Sequence, residues 1–304
     1  ASRGLGDVYK RQVLKKGKID IVHVHMGERG SVFREGLVVW IAKRMGVKTV
    51  IHMHGATIED WYEKRNRIIQ KIIAKIFTLP DRMIVLGKKW SVFMEQVMGD
   101  ANKDKIIVLH NAVNVEKTNC YNAEAHNVLF YGMLIPRKGI EDLLQAFQLI
   151  LDQIPENVKL TIYGDDKEFD IAGKIAEYHL EGRAVYCGWL PKEERLRCFS
   201  ETMLNVLPSY NEGLPMTILE SMGYGIPNIS TNIASIPEAV IDGINGNLIP
   251  PGDVDRLAYV MKRLILDVDL RISYSQEAYL KAKEEFSLPY HFKKLLNIYG
   301  ELAS

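Results

Sequence analysis

Glu212 and Glu220 stand with seven residues between them in the run Pro208-Ser-Tyr-Asn-Glu-Gly-Leu-Pro-Met-Thr-Ile-Leu-Glu220. The apolar stretch Met203–Leu207 before it suits a buried parallel strand. Pro215 can open a helix, Gly223 and Gly225 can close one, and Pro227 forbids much continuation. A strand, a glycine loop and a helix start leave backbone N–H groups unpaired at the positive end of a helix dipole, which is a place for an anion. Carboxylates repel an anion, so Glu212 and Glu220 are better suited to accept hydrogen bonds from sugar hydroxyls on either side of a phosphate. An anion flanked by two polyols describes a nucleotide sugar. The plainer alternative makes Glu220 a complement to the helix dipole and Glu212 a solvated loop residue; a short motif does not separate the two.

A second set lies in Tyr131-Gly-Met-Leu-Ile-Pro-Arg-Lys-Gly139, between a strand and a helix. Arg137 and Lys138 place two positive charges there, which are no more than a solvated turn unless an anion lies nearby. The third candidate, His54, comes from His52-Met-His-Gly55 at a strand end. His52 and His54 share a face, and the turn at Gly55 exposes His54 more. With His23 and His25 these make four histidines, and imidazole is a common zinc ligand. Lacking a Cys partner or a helical His pair, they read as core or cleft residues with no metal. Asp165-Asp166 reads as a turn.

The chain has 304 residues, 47% hydrophobic and 25% charged, enough for two soluble domains. A net charge of +1 argues against nucleic-acid binding. Cys120, Cys187 and Cys198 are too scattered for a metal motif and read as reduced thiols of a cytoplasmic protein. No apolar run reaches membrane-spanning length and no secretory signal is visible. Residues 1–12 carry no hydrophobic periodicity, and Asp7–Gln12 is similar to translated sequencing adaptor. They are set aside as a non-native leader, with Gly4 and Gly6.

Strand and helix patterns alternate with short connections, which predicts parallel sheets wrapped by helices. Residues 13–111 read as a first Rossmann-like domain, 112–127 as a polar linker, 128–287 as a second domain, and 288–304 as a final helix. Within the first, Thr57–Phe77 reads as one helix with Ile68, Ile69, Ile72, Ile73 and Ile76 as an apolar stripe. Lys64, Arg65, Arg67, Lys71 and Lys75 give it positive charge. The stripe fits packing on a sheet; contact with an anionic membrane surface is the alternative.

The pattern Glu212 to Glu220, with Gly213, Pro215 and the ending Gly223-Tyr-Gly225-Ile-Pro227, resembles the family-4 retaining glycosyltransferases. The resemblance implies an α/β GT-B fold, two Rossmann-like domains facing a cleft, here with the start of the first domain missing and the last helix crossing back to it. It implies Glu212 near the donor sugar, Glu220 on the nucleotide ribose, and Lys138 on the diphosphate. Gly132, Gly213, Leu214, Pro215 and Met216 are then donor-binding, and His54 lies near the transferred sugar or acceptor. The family usually has Arg where this chain has Met133, and Arg137 is the neighbouring candidate. Asn111–Asn114 and Ser235–Glu238 match family segments in part. No cofactor or metal is implied beyond the nucleotide-sugar donor. The implied acceptor is a glycan or lipid-linked glycan of bacterial surface polysaccharide assembly, at the inner face of the membrane. Two alternatives stay open: a catalytically impaired nucleotide-sugar-binding protein, and a sugar-nucleotide epimerase of the same fold.

Overall fold

The computed structural model describes residues 19–55, 57–167 and 169–303, so the leader and its two glycines lie outside the described residues. The chain forms two compact units. One runs to His110 and resumes at His291; the other is Asn111–Tyr290.

The first unit alternates β1 (Ile21–Met26), α1 (Gly30–Arg44), β2 (Lys48–Met53), α2 (Ile58–Glu63), α3 (Arg67–Phe77), β3 (Arg82–Val85), α4 (Lys88–Met98) and β4 (Ile106–Val108). Its strands pair in parallel in the order β1-β2-β3-β4, each joined to the next by a helical crossover. The register sets His25 beside His52, so the histidines of β1 and β2 share one face. The single helix expected over Thr57–Phe77 is two. The first stops at Glu63, and Asn66 starts the second by accepting a hydrogen bond from the Ile69 amide at 3.0 Å. An asparagine whose side chain competes for backbone donors favours a cap over a helix interior. The isoleucine stripe also divides: Ile73 is buried, whereas Ile68 is 73% and Ile72 48% exposed. Gly36 of α1 lets α3 approach, since a Cβ there would meet Ile76 at 2.6 Å.

The second unit contains β5 (Asn127–Tyr131), α5 (Ile140–Ile150), β6 (Lys159–Tyr163), α6 (Ile171–Glu177), β7 (Ala184–Tyr186), α7 (Arg195–Ser200), β8 (Thr202–Leu207), α8 (Met216–Tyr224), β9 (Asn228–Thr231), α9 (Ile236–Ala239), β10 (Gly246–Ile249), α10 (Val254–Leu266) and α11 (Val268–Glu285). The last helix, α12 (Leu288–Ala303), begins here and from His291 counts with the first unit. There Ile298 and Leu302 pack with Val50, Ile84 and Leu109.

The second sheet is parallel, in the order β10-β9-β8-β5-β6-β7. From the central β5 the chain winds outward through β6 and β7, then returns to β8 and winds the other way. The winding therefore reverses between β5 and β8, and at such a reversal the loops leaving the carboxyl ends of the two strands part to leave a crevice. All six residues of β8 are buried, as a strand covered by helices on both faces requires. The Asn111–Asn127 segment is tied to this unit by the Val113–Ser287 bridge and by Tyr121 Oη, which donates to the Met203 carbonyl at 3.1 Å.

Candidate active site

The loop after β5 carries Gly132, Met133, Arg137 and Lys138; the loop after β8 carries Glu212 and Gly213. Their backbones touch. Gly139 has φ 69°, and a Cβ there would sit 2.1 Å from the Pro208 carbonyl oxygen, so only glycine lets the two loops close together.

Across this contact the Lys138 ammonium donates to Glu212 Oε1, which also accepts from Ser209 Oγ at 2.8 Å. The pair is nearly dry, with side chains 13% and 7% exposed. Arg137 spends its guanidinium on the loop itself, donating to the Asn211 carbonyl at 2.8 Å, while its own carbonyl accepts from the Tyr210 amide. The two cations read as available to an anion are thus held by the adjacent loop. Met133 is half exposed and has no group that can donate.

Glu212 leads through Gly213, Leu214 and Pro215 into α8. No side chain caps that helix and its first turn has no acidic residue, so its leading amides stay open to an anion. Thr217 Oγ1, in this first turn, is buried with no partner. Gly225, at φ 90°, ends the helix in the left-handed conformation.

Glu220 faces a different neighbour. Arg195 Nη1 donates to Glu220 Oε1 at 2.7 Å, and the guanidinium lies 5.5 Å from the centre of the Tyr131 ring. Burial raises the Glu220 carboxyl above the ordinary carboxylate value, and Arg195 opposes that shift. Glu220, Arg195 and Met216 line a cavity of about 530 Å³, together with Lys192, Asn114 and Tyr224. That size suits a small organic ligand. Glu212 and Lys138 are not among its walls, so the expected residues fall into two adjoining sets joined by α8. Arg195 is the cavity residue that sequence reading missed. It sits on α7, where an arginine looks like any solvated charge.

His54 belongs to the first unit. Its Nε2 lies 2.7 Å from His25 Nδ1, and its ring centre 4.3 Å from that of His52. Partial burial and the neighbouring His25 lower its pKa, which favours the neutral imidazole.

A crevice at a switch point, an open helix start and paired acids and bases thus lie together in the second unit. The profile of the family Glycosyl transferases group 1 matches residues 118–281, more than half of the chain, and that of Glycosyltransferase Family 4 matches residues 7–117. The chain belongs to the group 1 glycosyltransferase family. It is similar to the amylovoran biosynthesis glycosyltransferase AmsK of Erwinia amylovora, 26% identical over 93% of this chain and 70% of that one. It is also similar to the UDP-Gal:alpha-D-GlcNAc-diphosphoundecaprenol alpha-1,3-galactosyltransferase of Escherichia coli, 27% identical over 99% of this chain and 80% of that one. Among solved structures it resembles Anabaena HepE in complex with UDP, with a TM-score of 0.80 at 17% identity, covering 98% of this chain and 84% of that one. The fold is GT-B.

Proposed function

We propose that this chain transfers a sugar from a nucleotide-diphosphate donor to a glycan or lipid-linked acceptor, with retention at the anomeric carbon, in assembly of a bacterial surface polysaccharide. The observation that carries this reading is the reversal between β5 and β8. It gathers the Lys138 loop, the Glu212 loop and the open start of α8 at neighbouring strand ends. The cavity beside Glu220 takes the nucleoside, with the carboxylate accepting from ribose hydroxyls and Arg195 holding that carboxylate in place. The diphosphate meets the leading amides of α8 and the Lys138 ammonium, which offset its charge as the glycosidic bond breaks, with no metal in that role. Lys138 must turn from Glu212 to do so, which frees Glu212 for hydroxyls of the donor sugar. His54 serves the acceptor side. HepE, solved with UDP, and the E. coli relative, named for a UDP-galactose donor and a diphosphoundecaprenol-linked substrate, support donor and acceptor classes respectively.

A lipid-linked acceptor calls for contact with the inner face of a membrane. Among the described residues no helix is long and apolar enough to cross one. The outward Ile68 and Ile72, set among Arg67, Lys71 and Lys75 on α3, fit a surface contact with anionic lipid.

Thermal shift across UDP-, GDP-, ADP- and dTDP-sugars tests the reading. One series should stabilise the protein by mass action, about 2.7 kcal/mol at a concentration one hundred times its Kd. No shift with any of them refutes it. The anomeric configuration of the product, read by NMR, tests retention.

A further inference from the structure

We propose that His23, His25 and His52 form a three-imidazole site for a divalent transition metal of the zinc class. One ring nitrogen from each lies within 4.8 Å of the others. The geometry follows from the sheet: His23 and His25 alternate along β1, and parallel pairing sets His52 of β2 beside His25. Ring centres are 4.9 Å apart for His23 and His25, 5.2 Å for His25 and His52, and 5.5 Å for His23 and His52. Zinc–nitrogen bonds of about 2.0–2.1 Å in a tetrahedron place ligand nitrogens about 3.4 Å apart. The His23 and His25 rings are stacked at an interplanar angle of 16°, so metal binding would turn them toward one another on the strand backbone.

Two independent features point to a ligand. His52 is 4% exposed, yet its Nε2 has no partner, and the buried Nε2 of His23 has none either. A buried polar nitrogen left alone costs stability, so each is a vacant demand for a hydrogen bond or a metal bond. The outer partners are also in place. His23 Nδ1 lies 2.5 Å from Tyr299 Oη and His25 Nδ1 lies 2.7 Å from His54 Nε2. Donation from each Nδ1–H leaves the Nε2 lone pair of both rings for a metal, the arrangement by which outer-shell groups orient metal-binding histidines. Water or an exchangeable ligand would complete the coordination on the exposed side of His25.

The site belongs to the first unit. The test is calorimetric titration of the untagged, metal-stripped full chain with Zn²⁺, with Co²⁺ as the spectroscopic probe. One equivalent should bind, Co²⁺ should give the intense visible bands of a low-coordinate site, and zinc K-edge absorption of the wild-type protein should show imidazole scattering. His52→Gln and His23→Gln should each weaken binding at least about 100-fold, and Tyr299→Phe about 10-fold to 100-fold through the lost orienting bond. The absorption measurement needs no variant, so a poorly folding His52→Gln does not blunt the test. Sulfur scattering, the absence of a binding isotherm, or unchanged affinity in the double His23→Gln, His52→Gln protein would each overturn the proposal.

Discussion

Replacing Lys138 with Met tests whether the loops after β5 and β8 are held by their ion pair. The substitution keeps the aliphatic stem and removes the charge, stranding the Glu212 carboxylate in a nearly dry site. Taking one partner from a buried pair costs about 3–5 kcal/mol. The Ser209 hydroxyl, 2.8 Å from the same oxygen, still serves the carboxylate, and Lys138 is not wholly sealed, so the lower end applies, about 3 kcal/mol. For a unit of this size each kcal/mol moves the melting point about 2–4 °C, which gives a fall of about 6–12 °C. Glu212→Gln alone leaves a buried ammonium and should cost a similar amount. The double variant pairs neutral groups and should recover part of the loss, with a coupling of about 1–3 kcal/mol in the cycle. Calorimetry on donor-free protein at one pH and salt gives all four values. A Lys138→Met protein melting within about 2 °C of wild type, or costs that simply add, would show the pair to be a surface contact and refute the reasoning.

Glu220→Gln should weaken nucleotide-sugar binding about 10-fold to 100-fold, the worth of hydrogen bonds to a charged acceptor, as read by calorimetry. Because burial raises the Glu220 carboxyl, donor affinity should fall with acidification at a higher pH than an ordinary carboxylate would give, and Glu220→Gln should flatten that dependence. Arg195→Met should reproduce much of the affinity loss while leaving the Lys138 cycle unchanged, since the two pairs share no atoms. Met133→Arg should raise the transfer rate about 100-fold if a missing donor limits charge stabilisation; an unchanged rate with intact donor binding would favour the impaired-binder reading. Ile68→Ser with Ile72→Ser should reduce co-sedimentation with anionic vesicles and leave donor binding as it was.

The strands were legible because parallel strands covered on both faces read as short apolar runs. Met203–Leu207, an apolar run suited to a buried parallel strand, lies within β8 (Thr202–Leu207). Helix ends were harder. The break at Asn66 is one side chain choosing a backbone amide, while the surrounding isoleucines keep helical spacing across it. At α6 (Ile171–Glu177) Asp170 likewise caps the start by accepting from the Gly173 amide. Glu212, Glu220 and Lys138 could be named from motif, but their partners could not. Lys138 meets Glu212 only once β5 and β8 are neighbours, and Arg195 meets Glu220 only once α7 and α8 are brought together. The histidine face was legible as alternation on each strand, whereas the unpartnered nitrogens depend on the pairing register.

The return of α12 has a bearing on biosynthesis. The sheet that begins near the amino end lacks one of its covering layers until Ile298 and Leu302 have left the ribosome. The second unit, continuous from Asn111 to Tyr290, has every strand and helix in hand before then. Of the two units, the one made earlier is therefore completed later, its greasy sheet face waiting until α12 has been made, and loss of Ile298 and Leu302 would be felt most in the first unit.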